Sequence, residues 1–259
     1  MSDTEPRLGQ SPVHRWAKPS ADIIQTLWVG DTLSTMERLC LSSFVYWNHE
    51  THLYAYSDID NVPEGVVVKD GNEILPESMI FEYKEYKSFS GFSNYFRYKL
   101  LTDKGGFWVD TDVICLRPFN FAEPFVFCSE EVLPLGQGNT HVGSCLIKAP
   151  EGNILTSDAY NVCLSKKPED LDWGEIGPSL VKQMVEKYSM QGFVKSPSWF
   201  CAIPGCMWQV VLDPNVAIEF DEATHAIHLW NEMWRRAEVD KNQKFHPNCL
   251  YEKLKKQYL

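Results

Sequence analysis

Phe107-Trp108-Val109-Asp110-Thr111-Asp112-Val113-Ile114 sets two carboxylates one residue apart, just behind the glycine pair Gly105-Gly106. The apolar residues from Phe107 to Val109 and from Val113 to Leu116 read as buried strand. The acidic pair therefore falls where a buried strand breaks the surface. Two carboxylates in that position repel each other unless a cation lies between them. A hard divalent ion with oxygen ligands, Mg²⁺ or Mn²⁺, meets that demand and commonly arrives with a phosphorylated substrate. An isolated D-x-D is more simply read as a turn with capping or solvated aspartates, and only the flanking sequence tells against this.

Upstream, Phe92, Phe96, Leu100 and Leu101 recur at helical spacing, and Arg97 lies off that apolar stripe. Gly105-Gly106 ends the helix before the strand begins. This helix, glycine pair, strand and D-x-D resembles the sugar-binding region of D-x-D glycosyltransferases of the GT-A type. Glycosyltransferase family 32 is the nearest group, with the clostridial glucosylating toxins more distant. The family pattern is S-D-x-x-R, a short helix, G-G-x-Y-x-D-x-D, then a proline. Here it runs Ser93-Asn94-Tyr95-Phe96-Arg97, then Gly105 to Asp112, then Pro118. Asn94 departs from the family's Asp, and Trp108 from its frequent Tyr.

The resemblance reaches both ends of the chain. Ile23 to Gly30 is similar to the family's first strand, where a Trp-[Ile/Val]-Gly turn stacks its indole on the donor nucleobase. It implies that role for Trp28, with Val29 beside it; a plain core tryptophan is the alternative. His225-Ala226-Ile227-His228-Leu229-Trp230-Asn231 is similar to the family's C-terminal H-x-W signature. It implies His228 as a third metal ligand beside Asp110 and Asp112, and Trp230 against the diphosphate. A structural histidine is the competing account of His228. His225 faces the opposite way on a strand and is given no such role. Asn94, Arg97, Asp110, Thr111, Asp112 and Asn231 complete the implied donor-binding set, with Asp110, Asp112 and Arg97 as its catalytic members.

With 259 residues and 44% apolar content, the chain has enough material for one α/β domain of ordinary size. Residues 1–20 are polar and proline-containing, and read as a mobile lead-in to a catalytic domain over 21–259. They lack the apolar stretch of a signal peptide, and no apolar run is long enough to span a membrane. The eight cysteines show no metal-type spacing, and Cys115, Cys128 and Cys145 lie in apolar runs as small hydrophobes. A reducing, cytoplasmic setting follows. A net charge of −11 argues against nucleic acid as a partner. The basic C-terminus, Tyr251 to Leu259, reads as a helix end with lysines favoured by the macrodipole; a peripheral contact with the inner membrane face is the other reading.

Along the chain, strands are expected at Ile23–Val29, His52–Tyr56 and Val66–Lys69. A helix is expected over Ser34–Tyr46, with Ser34 and Glu37 in capping-box positions. After the D-x-D come strands at Phe125–Cys128 and Val142–Ile147 around a Gly/Pro-rich loop, then a helix near Ile154–Leu164. Gly177-Pro178 opens a further helix, and family relatives carry a similar Gly-Pro beside the sugar. Alternating strands and helices predict a Rossmann-like, largely parallel central sheet flanked by helices. Ligands of such sheets sit at the carboxyl ends of strands, which places Trp28 and the aspartates in one cleft. Glu130, Glu131, Asn139, Glu175, Gly177 and Pro178 are candidates for sugar or acceptor contacts.

The resemblance implies a metal-dependent glycosyltransferase moving a sugar from a nucleotide-sugar donor, uridine diphosphate sugars by default, to a glycan or lipid-linked acceptor in surface polysaccharide synthesis. It also implies retention of anomeric configuration. Two alternatives stand beside it. A haloacid-dehalogenase-like phosphohydrolase also uses a strand-end D-x-D, but near its N-terminus. A degenerate sugar-nucleotide-binding protein would explain Asn94. No P-loop or G-x-G-x-x-G is present.

Overall fold

Strand β1 (Ile24–Trp28) lies inside a six-stranded sheet, with β2 (Thr51–Ala55) on one side and β4 (Gly106–Val109) on the other. The computed structural model describes residues 22–259 apart from Lys84, so the expected lead-in over 1–20 lies outside the described residues. Strand β3 (Val66–Asp70) pairs parallel to β2, and β1 pairs parallel to both its neighbours. Beyond β4 the direction reverses: β7 (Thr140–Ala149) is antiparallel to β4, and β6 (Val126–Glu131) is antiparallel to β7. The order β3-β2-β1-β4-β7-β6 is thus a largely parallel α/β sheet closed on one side by a hairpin.

Helices cover both faces because the strands are apolar on both. Phe107 and Val109 of β4 enter one core with Ile24, Cys128 and Leu146. Trp108, between them, enters the other core with Leu27, Phe127 and Ile147. This is the period-two alternation of a strand buried on both faces. Helices α2 (Ser90–Lys104), α3 (Ile154–Leu164) and α4 (Pro178–Lys187) cover the Trp108 face. The other face carries α1 (Thr35–Tyr46), the short α5 (Pro197–Phe200) and α7 (Leu250–Tyr258). The capping box expected at Ser34 and Glu37 is present in full. Helix α7 buries Leu250, Tyr251, Leu254 and Tyr258, and Trp47 Nε1 donates to the Tyr258 hydroxyl at 3.3 Å. The basic C-terminus is therefore anchored by an apolar face, with Lys253 and Lys256 exposed.

One expectation needs correcting. The apolar run after the aspartates does form a strand, β5 (Val113–Cys115), but outside the main sheet. A tight turn, closed by Val113 N–H on the Asp110 carbonyl at 3.2 Å, sends the chain off the sheet face. There β5 pairs antiparallel with β8 (Ala226–His228), and Val113 stands opposite His228. Pairing partners over a hundred residues apart leave no local sequence trace.

The glycine pair is needed for the entry to β4. Gly105 holds φ 63° and ψ −161°, a region that side chains disfavour strongly. A Cβ there would also lie 2.5 Å from the Glu151 backbone nitrogen. Gly152 shares the positive φ, at 70°, but has open space around it. Gly105→Ala is expected to cost about 2–4 kcal/mol, against about 1 kcal/mol for Gly152→Ala. Urea denaturation midpoints measure the difference; equal midpoints would show that the helix-to-strand turn relaxes freely around a methyl group.

Candidate active site

Arg97 and Trp108 hold Asp110. Arg97 projects from α2, is 3% exposed, and its Nη2 donates to Asp110 Oδ1 at 2.7 Å. Trp108 Nε1 donates to the same oxygen at 2.7 Å, while its ring lies 5.0 Å from the Arg97 guanidinium carbon. The Asp110 amide donates to the Cys145 carbonyl at 2.8 Å, which ties the turn to β7. Trp108, noticed in the sequence only as a departure from Tyr, thus orients both charged partners. Its position in a two-faced strand hid that role.

Asp112 is held from the opposite side. His228 Nε2 lies 3.1 Å from Asp112 Oδ2, and the Asn231 amide donates to that oxygen at 2.8 Å. The Leu229 amide donates to the Asp112 carbonyl at 2.8 Å. Ligand atoms of Asp110, Asp112 and His228 all lie within 4.8 Å of one another. Two carboxylates and an imidazole are a hard-to-borderline donor set, suited to Mg²⁺ or Mn²⁺. His228 Nδ1 is buried without a partner, while Nε2 carries a proton toward the Asp112 carboxylate.

Charge follows this geometry. Burial pushes the Asp110 carboxyl up, and it stays raised although Arg97 pulls it down. Burial pushes Asp112 the same way, but the His228 charge and hydrogen bonds outweigh it, so Asp112 is lowered. Burial works against a charged His228, yet Asp112 prevails and raises its pKa to about 9.

Trp230 begins the short helix α6 (Asn231–Arg236) from a left-handed conformation, φ 60° and ψ 52°, which is strained for a bulky residue. Its ring centroid lies 4.0 Å from that of His228, and its Nε1 donates to the Ile203 carbonyl at 2.8 Å. Gly205 leaves room for the indole: a Cβ there would come within 3.2 Å of it. At the far end of α6, the Arg236 guanidinium carbon sits 4.9 Å from the Tyr86 ring and 5.3 Å from Trp173. His225, as expected, points elsewhere and stacks on Phe121 at 4.9 Å.

Arg97 Nε and Nη1 are buried without partners. Leaving charged donors unpaired is costly. Asn94, next on the same helix turn, donates to the Ser90 carbonyl at 2.9 Å. A Cβ on Gly177 would sit 3.4 Å from Asn94 Oδ1 and 3.6 Å from Ser144 Oγ, so these three face one another. Ser144 carries no sequence signal, since a serine in a strand is unremarkable. Pro178 is the first residue of α4.

Trp28 is partly buried against Leu33, Leu41 and Leu53, and its indole N–H is buried without a partner. Val29 packs on the α2 side, and Thr111 forms the middle of the aspartate turn. The remaining candidates are engaged locally. Glu175 pairs with Lys166 at 2.6 Å, and Glu130 with His141. Asn139 donates to the Pro134 carbonyl at 3.1 Å within the β6–β7 hairpin loop, where Glu131 accepts from the Gly136 amide.

A family model described as glycosyltransferase sugar-binding region containing DXD motif matches residues 27–126. The match takes in Trp28, Asn94, Arg97, Asp110 and Asp112 and ends before His228. Among solved structures, the PaToxG glycosyltransferase aligns at 15% identity and a TM-score of 0.48, over 64% of this chain and 69% of its own. A transferase solved as a cysteine-to-serine double mutant aligns at 8% identity and a TM-score of 0.41, over 64% and 85%. Both likenesses are too distant to inform residue roles or substrate. No curated protein matches the chain.

The raised His228 gives a pH dependence with a definite sign. An unfolded imidazole titrates near about 6.5, so the His228–Asp112 pair stabilises fully below that value. Its contribution is lost as pH rises through about 9. The melting temperature of chelator-treated protein should therefore fall across this window. Mn²⁺ affinity should rise across the same window, by up to about tenfold per pH unit, because the ion displaces the imidazole proton. Titration calorimetry at several pH values measures it, and a flat affinity would remove His228 from the ligand set.

Proposed function

We propose that this chain is a glycosyltransferase that uses a nucleoside diphosphate sugar, a uridine diphosphate sugar in the first place, and transfers the sugar to a hydroxyl of a glycan or lipid-linked acceptor during surface-glycan synthesis. The observation that carries this reading is the convergence of Asp110, Asp112 and His228 within 4.8 Å, next to two unpartnered nitrogens of Arg97. A Mn²⁺ or Mg²⁺ ion held by those three side chains supplies positive charge for the departing diphosphate. Arg97 offers Nε and Nη1 to sugar hydroxyls or phosphate oxygens, its third nitrogen being fixed by Asp110. Asp110, with one oxygen held by Arg97 and Trp108, keeps the other for the ion or the donor. Trp28 offers the open part of its ring to the base. Trp230, stacked on His228, bounds the diphosphate side.

Asn94 hydrogen-bonds but carries no charge, so this position supplies no carboxylate nucleophile. Asp110 is committed to Arg97 and Trp108, and Asp112 to His228 and the Asn231 amide, so the two are not free to flank a sugar as in glycosidases. Retention, under this proposal, proceeds by same-face attack of the acceptor hydroxyl as the diphosphate leaves. Asn94, Gly177 and Ser144 line the sugar side. No described helix is long and apolar enough to cross a membrane. The proposal places the reaction in the cytoplasm, with Lys253 and Lys256 of α7 available to an anionic membrane face.

A thermal-shift panel of nucleotide sugars with and without Mn²⁺, followed by nucleoside diphosphate release, tests this. One donor should raise the melting temperature only when Mn²⁺ is present, and Asp112→Asn should abolish that shift. Arg97→Lys should lower kcat about 10²- to 10³-fold while the fold survives, because lysine cannot reproduce the planar fork. Binding without nucleoside diphosphate release would mean that the chain holds donors and does not turn them over. Absence of any donor-dependent shift would overturn the proposal.

A further inference from the structure

Three of the eight cysteines, unremarkable by spacing, converge in the core beside the carboxylates. Cys128 lies on β6, Cys145 on β7, and Cys201 directly after α5. Cys128 Sγ is 3.5 Å from Cys145 Sγ, which is 3.7 Å from Cys201 Sγ, and all three lie within 4.8 Å of one another. Each is at most 5% exposed. Two backbone features favour this convergence. The β6–β7 register shifts between Phe127 and Ser129, so the irregularity falls at Cys128, and bulges of this kind re-aim a side chain. Across from it, Gly143 has no side chain; a Cβ there would lie 2.9 Å from Cys128 Sγ. Cleared space and an interrupted ladder exceed what three thiols filling a core as small hydrophobes require.

We propose that Cys128, Cys145 and Cys201 form a second metal site, selective for a soft-tolerant divalent ion of the zinc type and separate from the carboxylate site. Three sulfurs at about 2.3 Å from a trigonal ion stand about 4 Å apart, close to the spacing already present. Among the described residues, no fourth His, Cys, Asp or Glu joins the three, so the ion is three-coordinate or completes its shell with a backbone carbonyl or a water. Sulfur ligands exclude Mg²⁺ and disfavour Mn²⁺, which keeps the two sites chemically distinct. Charge favours a divalent over a monovalent ion. Three buried thiolates around Zn²⁺ leave a net charge of −1, while Cu⁺ would leave −2 in an apolar surround. Binding releases three protons to solvent as three S–H bonds give way to three S–Zn bonds, with no electron transferred. The Cys145 carbonyl accepts the Asp110 amide, so an ion at this site would brace the strand from which the aspartate turn hangs.

The test is metal content of the full chain, purified from zinc-supplemented cells, together with cobalt substitution. About one equivalent of zinc per chain should persist through washes that strip Mn²⁺, and cobalt should give intense thiolate-to-metal absorption in the near ultraviolet. Asp112→Asn should keep both signals, and Cys145→Ser should lose both. If Cys145→Ser fails to fold, Cys201→Ala serves, and the wild-type cobalt spectrum alone decides ligand type. Zinc lost in Asp112→Asn but retained in the cysteine variants would overturn the proposal, as would a zinc-free chain with three free thiols or a Cys128–Cys145 disulfide by mass spectrometry. None of these outcomes depends on the donor proposed above.

Discussion

Two carboxylates separated by one residue repel, and much of this molecule is arranged to hold them together in a half-buried turn. Asp110 faces α2, where Arg97 and the Trp108 indole share one of its oxygens. Asp112 faces the small second sheet, where His228 and the Asn231 amide share one of its own. Each carboxylate is thus compensated from a different face of the main sheet. Without Arg97 or His228 the turn would expose an uncompensated charge to a low-dielectric surround, which proteins do not tolerate cheaply. The pair's unequal titration, Asp110 raised and Asp112 lowered, reflects that asymmetry of partners.

The same constraint explains the strain nearby. Trp230 is left-handed, and Arg97 keeps two nitrogens unpaired in the interior. Both are unfavourable in the isolated protein and are offset by the packing around them: Trp230 by its hydrogen bond to Ile203 and its contact with Gly205, Arg97 by Asp110 and the Trp108 ring. Under the function proposed above, such a partly unsatisfied site is preorganised for the charged, hydroxyl-rich donor. Helix α6 extends the constraint outward. It starts at the Asp112 hydrogen bond and ends with Arg236 against the contacting rings of Tyr86 and Trp173, so one short element joins the carboxylates to two surface loops.

What could be read from the sequence was local. The Ser34–Glu37 cap, the helix over Ile154–Leu164, the glycine pair and the strand-end aspartates all have signatures within a few residues, and each stands where the pattern implied. Helix spacing put Arg97 off the apolar stripe, but its place beside Asp110 was implied only by the family resemblance of the Ser93–Arg97 stretch. The β5–β8 pairing was not, since hydrogen-bonding partners so far apart leave no periodicity. For the same reason the three-cysteine cluster was invisible: Cys128, Cys145 and Cys201 are separated by a hairpin and by α3, α4 and α5. Trp108 and Ser144 were missed because strand alternation gives a face, not a partner. Asn139, Glu130 and Glu175 carried the right chemistry, yet their contacts here are with near neighbours.

The two-stranded sheet has a consequence for where this protein can be cut. The stretch matched by the family model holds Asp110 and Asp112 but neither His228 nor the strand that pairs with β5. Isolated, that stretch would leave Val113, Ile114 and Cys115 with an open edge and lose their cover from Ala226, Ile227 and Tyr251, which share their core. The segment most recognisable by sequence is therefore not an autonomous folding unit. Recognition and foldability have different borders in this chain, and the last thirty or so residues belong to the second.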